Sequence, residues 1–385
     1  MFKNPVSLLI IVLNLSISLS LVAQQSLNET IIHNGIEREY LLYIPANYTG
    51  ESPVPLVFNF HGYGSTASEQ MWYGDFRAIA DTAGFLLIHP QGTLLNSITH
   101  WNVGGWTIGS IADDVGFIDA LIDSVAVDYN TDLERIFATG MSNGGFMSFL
   151  LASQLSEKIA AIASVAGSMT PETYNNSNPQ HPTPILQMHG TTDVVVPYNG
   201  DTWTLPIDDV LEYWANYNNC NPIPSVTALP DIDPNDGSTI EHLVFNGGDN
   251  GVNVEHYMIV GGGHTWPGNI LGGSGTNNDI DASADIWKFF SRYDINGLIE
   301  ITDIEDAEEN DRALMVYPNP ATSYIIVEHD LINQAYQVQS LQGKIVLRGI
   351  LNSKSHLVDL SGLSAGIYLL KVGKQSIQLV KATHE

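Results

Sequence analysis

The run "RIFATGMSNGGFMSFLLASQLS" constrains this chain more than any other stretch. An apolar strand-like segment passes straight into Gly140-Met141-Ser142-Asn143-Gly144, a G-x-S-x-G pattern, and a helix-like segment follows at once. Small residues on either side of the serine let a strand turn sharply into a helix and push the hydroxyl out at the top of a sheet. The pattern is short. To mark a nucleophile, Ser142 needs a histidine and an acid later in the chain.

The surrounding sequence supplies the sheet. "EYLLYIP" and "PLVFNFHG" have strand character, the second apolar enough to be buried on both faces. "ASEQMWYGDFRAIADTAG" has the spacing of one helix ending at Gly84, and "FLLIHP" is the next strand. Asp113 and Asp114 cap the helix "DDVGFIDALIDSVAVDY" and meet its positive end. "IAAIASVAG" and "TPILQMHG" are two further buried strands. The helix "PIDDVLEYWANYN" follows, then "TIEHLVFNG" and "VEHYMIVGG" as a strand pair near the sheet edge, and "SADIWKFFSRY" as a closing helix. This rhythm predicts an α/β fold with a mostly parallel sheet covered on both faces. "DIDPNDGST" (Asp231 to Thr239) is rich in oxygen ligands, but its glycine falls one place late and His242 stands where a calcium loop closes with glutamate, so it is expected to be a hairpin turn.

The ends differ from this middle. Lys3 followed by the apolar run Val6 to Val22 and by Leu21-Val22-Ala23 predicts a secretory signal peptide over residues 1–23. The main domain is expected over 24–297 and an acidic linker over 298–312, since "EITDIEDAEENDRA" holds seven acids and one arginine. From 313 to 385, short alternating strands separated by Gly, Asn and Ser turns predict a small antiparallel sandwich.

Charge and cysteine content exclude several roles. Against 42 acidic residues stand 14 basic ones, a formal net charge of −28 that repels nucleic acid and anionic lipid. The single cysteine, Cys220, rules out an intrachain disulfide, and with no cation flanking it in "YNNCNP" it is expected to be a buried structural thiol.

The acid and the histidine are found where the serine requires them. Asp193 in "TPILQMHGTTDVVVPY" follows a buried strand, at the end where open α/β sheets place their sites. His264 in "VEHYMIVGGGHTWPG" follows the last strand on a glycine-rich turn; His189 and His256 compete with it among twelve histidines. Ser142, Asp193, His264 is the chain order of α/β-hydrolases, with serine as nucleophile, histidine as base and the acid fixing the imidazole tautomer. The oxyanion hole is expected from the backbone N–H groups of Asn143 and of Tyr63 in "HGYGS", with His61 and Gly62 shaping that loop. Trp101, Trp106 and Trp266 are candidates for an acyl pocket, Trp266 foremost because it lies two residues from His264; core packing is the competing reading for the other two.

"NFHGYGS", "HWNVGGW", "DDVGFIDALI", "RIFATGMSNGG", "MHGTTDVVVPY" and "GGGHTWPG" together resemble the secreted esterases grouped as polyhydroxybutyrate depolymerases and feruloyl or acetylxylan esterases, over about Asn28 to Tyr293. The resemblance implies the same triad. One departure is that relatives often carry cysteines in the stretch matching "GGWTIGS", where this chain has Trp106 and Thr107 and leaves Cys220 unpaired. "VYPNPATSYIIV" and "DLSGLSAGIYLLKV" resemble the type A C-terminal sorting domain of the type IX secretion system, from about Ala313 to the end. That implies a secretion address, often cleaved or exchanged for a surface anchor; a small substrate-binding module is the alternative.

The sequence therefore predicts a secreted or surface-attached serine esterase needing no metal and no organic cofactor. Its partners would be an ester substrate and the secretion machinery, with no nucleic acid. Plant cell-wall esters (feruloyl or acetyl groups on xylan) are preferred as substrate, with polyhydroxybutyrate as the alternative. A peptidase on the same triad is disfavoured because no propeller or lid domain precedes the sheet. A non-catalytic adhesin is disfavoured by the complete triad and oxyanion loop.

Overall fold

The computed structural model describes residues 24–299 and, further on, residues 314–328, 334–340, 344–351, 353, 355–372 and 375–382. The expected signal peptide and most of the expected linker lie outside the described residues. The chain forms two compact units divided between residues 300 and 301.

In chain order the first unit runs β1 (Gln25–His33), β2 (Ile36–Ile44), β3 (Val54–Phe60), α1 (Ala67–Tyr73), α2 (Arg77–Ala83), β4 (Leu86–Pro90), β5 (Thr93–Leu95) and β6 (Ile98–His100). It continues with α3 (Asp114–Asp128), β7 (Thr131–Met141), α4 (Asn143–Gln154), β8 (Ala161–Val165), α5 (Pro171–Asn175), β9 (Ile185–Gly190) and α6 (Ile207–Tyr217). β10 (Ser225–Ala228), β11 (Thr239–Phe245), β12 (Val254–Val260) and α7 (Ala282–Phe290) complete it, with a short ribbon β13 (Tyr293–Asp294) and β14 (Gly297–Leu298).

Ten strands form one sheet in the order β1-β2-β4-β3-β7-β8-β9-β12-β11-β10. The six from β4 to β12 are mutually parallel, and antiparallel strands flank them on both edges. The alternation of side chains along a strand builds a core on each face. Leu56, Phe58 and Phe60 of β3 join one core with α3, α4 and α6, while Val57 joins the other with α2 and α7. Such two-sided burial is what a parallel sheet under helices requires, and it explains the nearly unbroken apolar runs of these strands.

Three local differences from the sequence reading have physical causes. The single helix expected over Ala67 to Gly84 is two, broken at Gly74, whose carbonyl accepts from the buried amide of Asn59 (2.8 Å) and whose missing Cβ would stand 2.9 Å from the Trp266 ring. The sheet begins earlier than "EYLLYIP", as a hairpin of β1 and β2 turned at Asn34 and Gly35, both at positive φ (50° and 77°). β10, exposed at every residue, is an edge strand held by backbone pairing to β11 and by Ser225 Oγ, which donates to Val244 O at 3.5 Å. The Asp231–Thr239 stretch does connect those two strands; Asp236 accepts from the N–H of Ser238 (2.8 Å) and of Asn278 (2.7 Å), and Asp279 from those of Ile232 and Asp233 (2.7 and 3.0 Å). Among the described residues no group of three or more His, Cys, Asp or Glu stands close enough to hold a metal ion, and no helix is long and apolar enough to cross a membrane.

The second unit holds β15 (Met315–Tyr317), β16 (Tyr324–Glu328), β17 (Gln334–Ser340), β18 (Ile345–Leu351), β19 (Ser355–Asp359), β20 (Gly366–Val372) and β21 (Gln375–Lys381). They pair antiparallel as β15-β16-β19 and β18-β17-β20-β21 around a core that includes Ile325, Val327, Val338, Val358, Leu370 and Leu379.

Candidate active site

Ser142 sits between the last residue of β7 and the first of α4, at φ 56° and ψ −117°, a backbone conformation that non-glycine residues seldom adopt. Close packing enforces the turn. A Cβ on Gly140 would stand 2.6 Å from the Phe60 carbonyl oxygen, and one on Gly144 would stand 2.1 Å from the same atom. Eleven of the twelve residues of α4 are buried, so the helix under the serine is fixed on every side. Its N-terminus also places positive dipole charge beneath the hydroxyl.

β7, β8, β9 and β12 are adjacent and parallel, so the loops after them emerge at one edge of the sheet. β7 and β9 are two strand spacings apart, about 10 Å, a gap that side chains from both loops can bridge. Asp193 follows β9 and His264 follows β12, and their side chains meet: His264 Nδ1 donates to Asp193 Oδ2 at 2.7 Å. Asp193 Oδ1 accepts from the N–H groups of Val195 and Val196 at 2.8 and 2.9 Å. Burial works against the charge on Asp193, but the hydrogen bond and positive potential of His264, with the backbone donors, outweigh it and hold the carboxyl below its ordinary range. The Asp193 side chain is fully buried while that of His264 is 18% exposed, so the imidazole is the member of the pair that meets solvent.

The competing histidines spend their ring nitrogens on other hydrogen-bond partners, although His189 Nε2 also lies 3.4 Å from Asp193 Oδ2. His189 donates from Nε2 to Val196 O (2.8 Å) and receives from Gln187 at Nδ1 (3.0 Å), and burial pushes its pKa down. His256 lies between Gln187 O and the Tyr198 hydroxyl, and burial lowers it to about 3.

The expected oxyanion loop lies against the serine. A Cβ on Gly62 would be 3.5 Å from Ser142 Cβ. Tyr63 N–H takes no acceptor from the described residues, and Asn143 N–H, the first of α4, has no carbonyl a turn earlier within the helix. His61 donates from Nδ1 to Gly62 O (2.8 Å) and accepts at Nε2 from Gly92 N–H (3.0 Å). Burial lowers it to about 4, which keeps the ring neutral and this tautomer fixed.

The tryptophans divide differently from expectation. Trp101 is fully buried and braces the site from behind: its N–H donates to Asn143 Oδ1 (2.7 Å), its carbonyl accepts from Asn143 Nδ2 (3.1 Å), and its indole donates to His61 O (2.9 Å). It is therefore not a pocket wall. Trp266, 2% exposed, is not one either; its indole donates to Ser283 Oγ (3.2 Å) and its ring meets Phe76 edge-on at 6.2 Å, so the turn after His264 sends it into the core. Trp106 is half-buried, with the rings of Tyr63 at 5.6 Å, Phe146 at 5.9 Å and Trp203 at 6.0 Å. Phe146 is one turn along α4 from Ser142.

Sequence reasoning missed Trp203, which stands in a loop with no motif around it. It also missed the tie between Asp114 and Arg38. Asp114, expected only as a helix cap, accepts from Arg38 (2.7 Å) and from Asn102 N–H (2.7 Å), all but excluded from solvent. Where relatives are expected to carry cysteines, Thr107 Oγ1 donates to Gly104 O (2.8 Å) and Glu172 accepts from Gly105 N–H (2.8 Å), closing the loop by hydrogen bonds. Cys220 is buried and free, with its pKa raised by burial.

Residues 49–204 match the Phospholipase/Carboxylesterase family, and residues 315–383 match the Secretion system C-terminal sorting domain. The chain is 28% identical over 274 residues to a bifunctional acetylxylan esterase/xylanase of Neocallimastix patriciarum, covering 71% of this chain and 36% of that protein. It is 31% identical over 198 residues to a probable feruloyl esterase C of Aspergillus niger, covering 50% of this chain and 66% of the relative. The chain thus spans little more than a third of the first relative and just under two thirds of the second. Among solved structures, an acetyl xylan esterase from Aspergillus awamori aligns with TM-score 0.48 at 15% identity, over 69% of this chain and 98% of that one.

Proposed function

We propose that this chain, which carries a phospholipase/carboxylesterase domain of the α/β-hydrolase fold at residues 49–204 and a secretion sorting domain at 315–383, is a secreted serine esterase acting on plant cell-wall esters. The observation that carries the reading is the His264–Asp193 hydrogen bond of 2.7 Å at the same sheet edge as the Ser142 turn. In this mechanism Ser142 Oγ attacks the ester carbonyl carbon while His264 Nε2 takes its proton. Asp193 holds the proton on Nδ1 and stabilises the imidazolium. Asn143 and Tyr63 N–H groups receive the negative oxygen of the tetrahedral intermediate. The proton then passes to the departing alkoxide, leaving an acyl-enzyme and a free alcohol. Water, deprotonated by His264, attacks the acyl carbon, and the acid and Ser142 are released.

Feruloyl and acetyl groups on xylan fit the half-buried aromatic wall of Trp106 and Trp203, and the relatives named above act on such groups by their names. A polyester such as polyhydroxybutyrate is the second reading. It is favoured by bare aliphatic residues close in the chain to the triad candidates, Val194 (89% exposed) next to Asp193 and Ile270 and Leu271 (95% and 72%) six and seven residues after His264. We assign residues 1–23 to a signal peptide, 24–297 to the esterase, 298–312 to a linker and 313–385 to the sorting domain, which would deliver the enzyme to the cell surface or the medium.

Initial rates on methyl ferulate, acetylated xylan and a polyhydroxybutyrate film test the reading, with Ser142→Ala as control. Turnover of ferulate or xylan acetate that is lost in Ser142→Ala supports it; film clearing alone selects the polyester. An active and folded Ser142→Ala protein refutes the mechanism.

A further inference from the structure

A second groove, of about 700 Å³, opens between α5 and α6 and takes no part in the mechanism above. Its walls are tyrosines: Tyr174 on α5, and Tyr213 and Tyr217 one turn apart on α6. The Tyr174 and Tyr213 rings are 5.0 Å apart, and those of Tyr213 and Tyr217 are 6.5 Å apart and within 18° of parallel. Tyr213 and Tyr217 each stand edge-on to Trp214, at 5.3 and 5.9 Å, and Trp214 is fully buried beneath them. The Tyr217 hydroxyl is tied to Pro179 O at 2.8 Å. Tyr213 and Tyr217, held from below by Trp214 and the latter also at its tip, keep their orientation without a ligand, so little of their side-chain entropy is lost when one binds.

The polar groups of the groove are equally specific. Asp209, Glu212 and Asn216 are exposed along it, and none makes a side-chain hydrogen bond among the described residues. Carboxylates and an amide beside aromatic faces offer acceptors and donors for hydroxyl groups, while the rings offer flat apolar surface to C–H faces. Two carboxylates on a chain of formal net charge −28 repel phosphates, uronates and other anions. No cation lines the groove to reverse this.

From this chemistry we infer that the α5–α6 groove is a glycan-binding subsite that holds a neutral pyranose chain, with sugar faces on the tyrosines and hydroxyls on Asp209, Glu212 and Asn216. The inference deepens the cell-wall reading and takes its biological sense from it. Leu205, also in the groove, lies two residues from Trp203, whose ring packs against Trp106 and Phe146 beside Ser142. A polymer seated on the tyrosines is thereby kept close to the reacting serine, which raises the local concentration of its ester groups.

The test uses full-length protein carrying Ser142→Ala, so that binding is read without turnover, and xylohexaose as titrant in calorimetry. We expect saturable binding, weakened at least about tenfold by Tyr174→Ala with Glu212→Ala. Both side chains are exposed, so neither change disturbs the core. With Ser142 restored, the double variant keeps its rate on p-nitrophenyl acetate within about twofold and loses rate only on polymeric acetylated xylan. Absence of hexaose binding, or binding lost by Trp203→Ala and untouched by the groove variants, overturns the inference. If the wild type hydrolyses no ester yet the groove variants still abolish hexaose binding, the esterase reading falls and the glycan subsite stands.

Discussion

Asp193→Asn separates charge from shape at the site. Asp193 Oδ1 is fixed by the N–H groups of Val195 and Val196, at 2.8 and 2.9 Å, so the carbonyl oxygen of an asparagine takes that place. Its NH2 must then face His264 Nδ1, where Oδ2 now accepts at 2.7 Å. Donor facing donor is repulsive, so Nδ1 gives up its proton and Nε2 keeps one, leaving no base to receive the Ser142 proton. The variant also loses the charge that stabilises the imidazolium. Two unit charges about 4 Å apart at an effective dielectric near 20 interact by about 4 kcal/mol. At about 1.36 kcal/mol per decade this is about 10³-fold in kcat, before the tautomer is counted. Initial rates on p-nitrophenyl acetate between pH 6 and 9 measure the loss. KM should stay within about threefold, because the acid does not touch substrate. Circular dichroism and a melting curve establish that the fold is retained. A folded Asp193→Asn protein that loses less than about tenfold in kcat would refute the role given to Asp193.

Three further perturbations follow from the packing. Gly144→Ala puts a methyl group 2.1 Å from the Phe60 carbonyl oxygen, a backbone atom that cannot swing aside, and should destabilise by about 3 kcal/mol or more in urea titration. Arg38→Met leaves the buried Asp114 carboxylate without its guanidinium and should destabilise by about 3–5 kcal/mol, while Arg38→Met with Asp114→Asn, which keeps an acceptor for the Asn102 N–H, should recover part of it. Acid should weaken the fold through buried histidines: burial lowers His61 to about 4 and His89 and His256 to about 3, so below the ordinary value near 6.5 the unfolded chain binds protons that the folded chain refuses. Their contribution is unchanged above pH 7 and is lost progressively as pH falls from about 6.5, towards 4 for His61 and towards 3 for His89 and His256, by up to about 1.4 kcal/mol per histidine per pH unit, readable as a falling urea midpoint.

The chemistry of the site was written locally and the pocket was not. Ser142, Asp193 and His264 each follow a buried strand, and strand, turn and glycine are short-range signals that survive without knowledge of the fold. Which way a side chain leaves a turn depends on neighbours remote in sequence. Trp266 is close to His264 along the chain, yet the space between Phe76, Gly74 and Ser283 takes its ring inward. Trp101 reads as an aromatic near a glycine pair, and only the fold brings Asn143 to meet it over 42 residues of separation. Trp203 has no signal at all, since its role comes from Trp106 standing opposite. The helix break at Gly74 was equally hidden: the periodicity runs on through it, and the buried amide of Asn59 that captures its carbonyl belongs to β3. The β1–β2 hairpin is a different case, because Asn34-Gly35 is a turn signal that lies in plain sight.

The burial of α4 also decides where such an enzyme can change. With the Phe60 carbonyl pressed against Gly140 and Gly144, and Gly145 held against Ser164 and Gly167, the helix that follows Ser142 has little room for larger side chains. Natural variation and directed evolution therefore have more room at loop positions outside the helix whose side chains are at least partly open to solvent, such as Trp106, Val194 and Trp203. A library over those loops samples specificities. A library over residues 143–150 samples mostly proteins that do not fold.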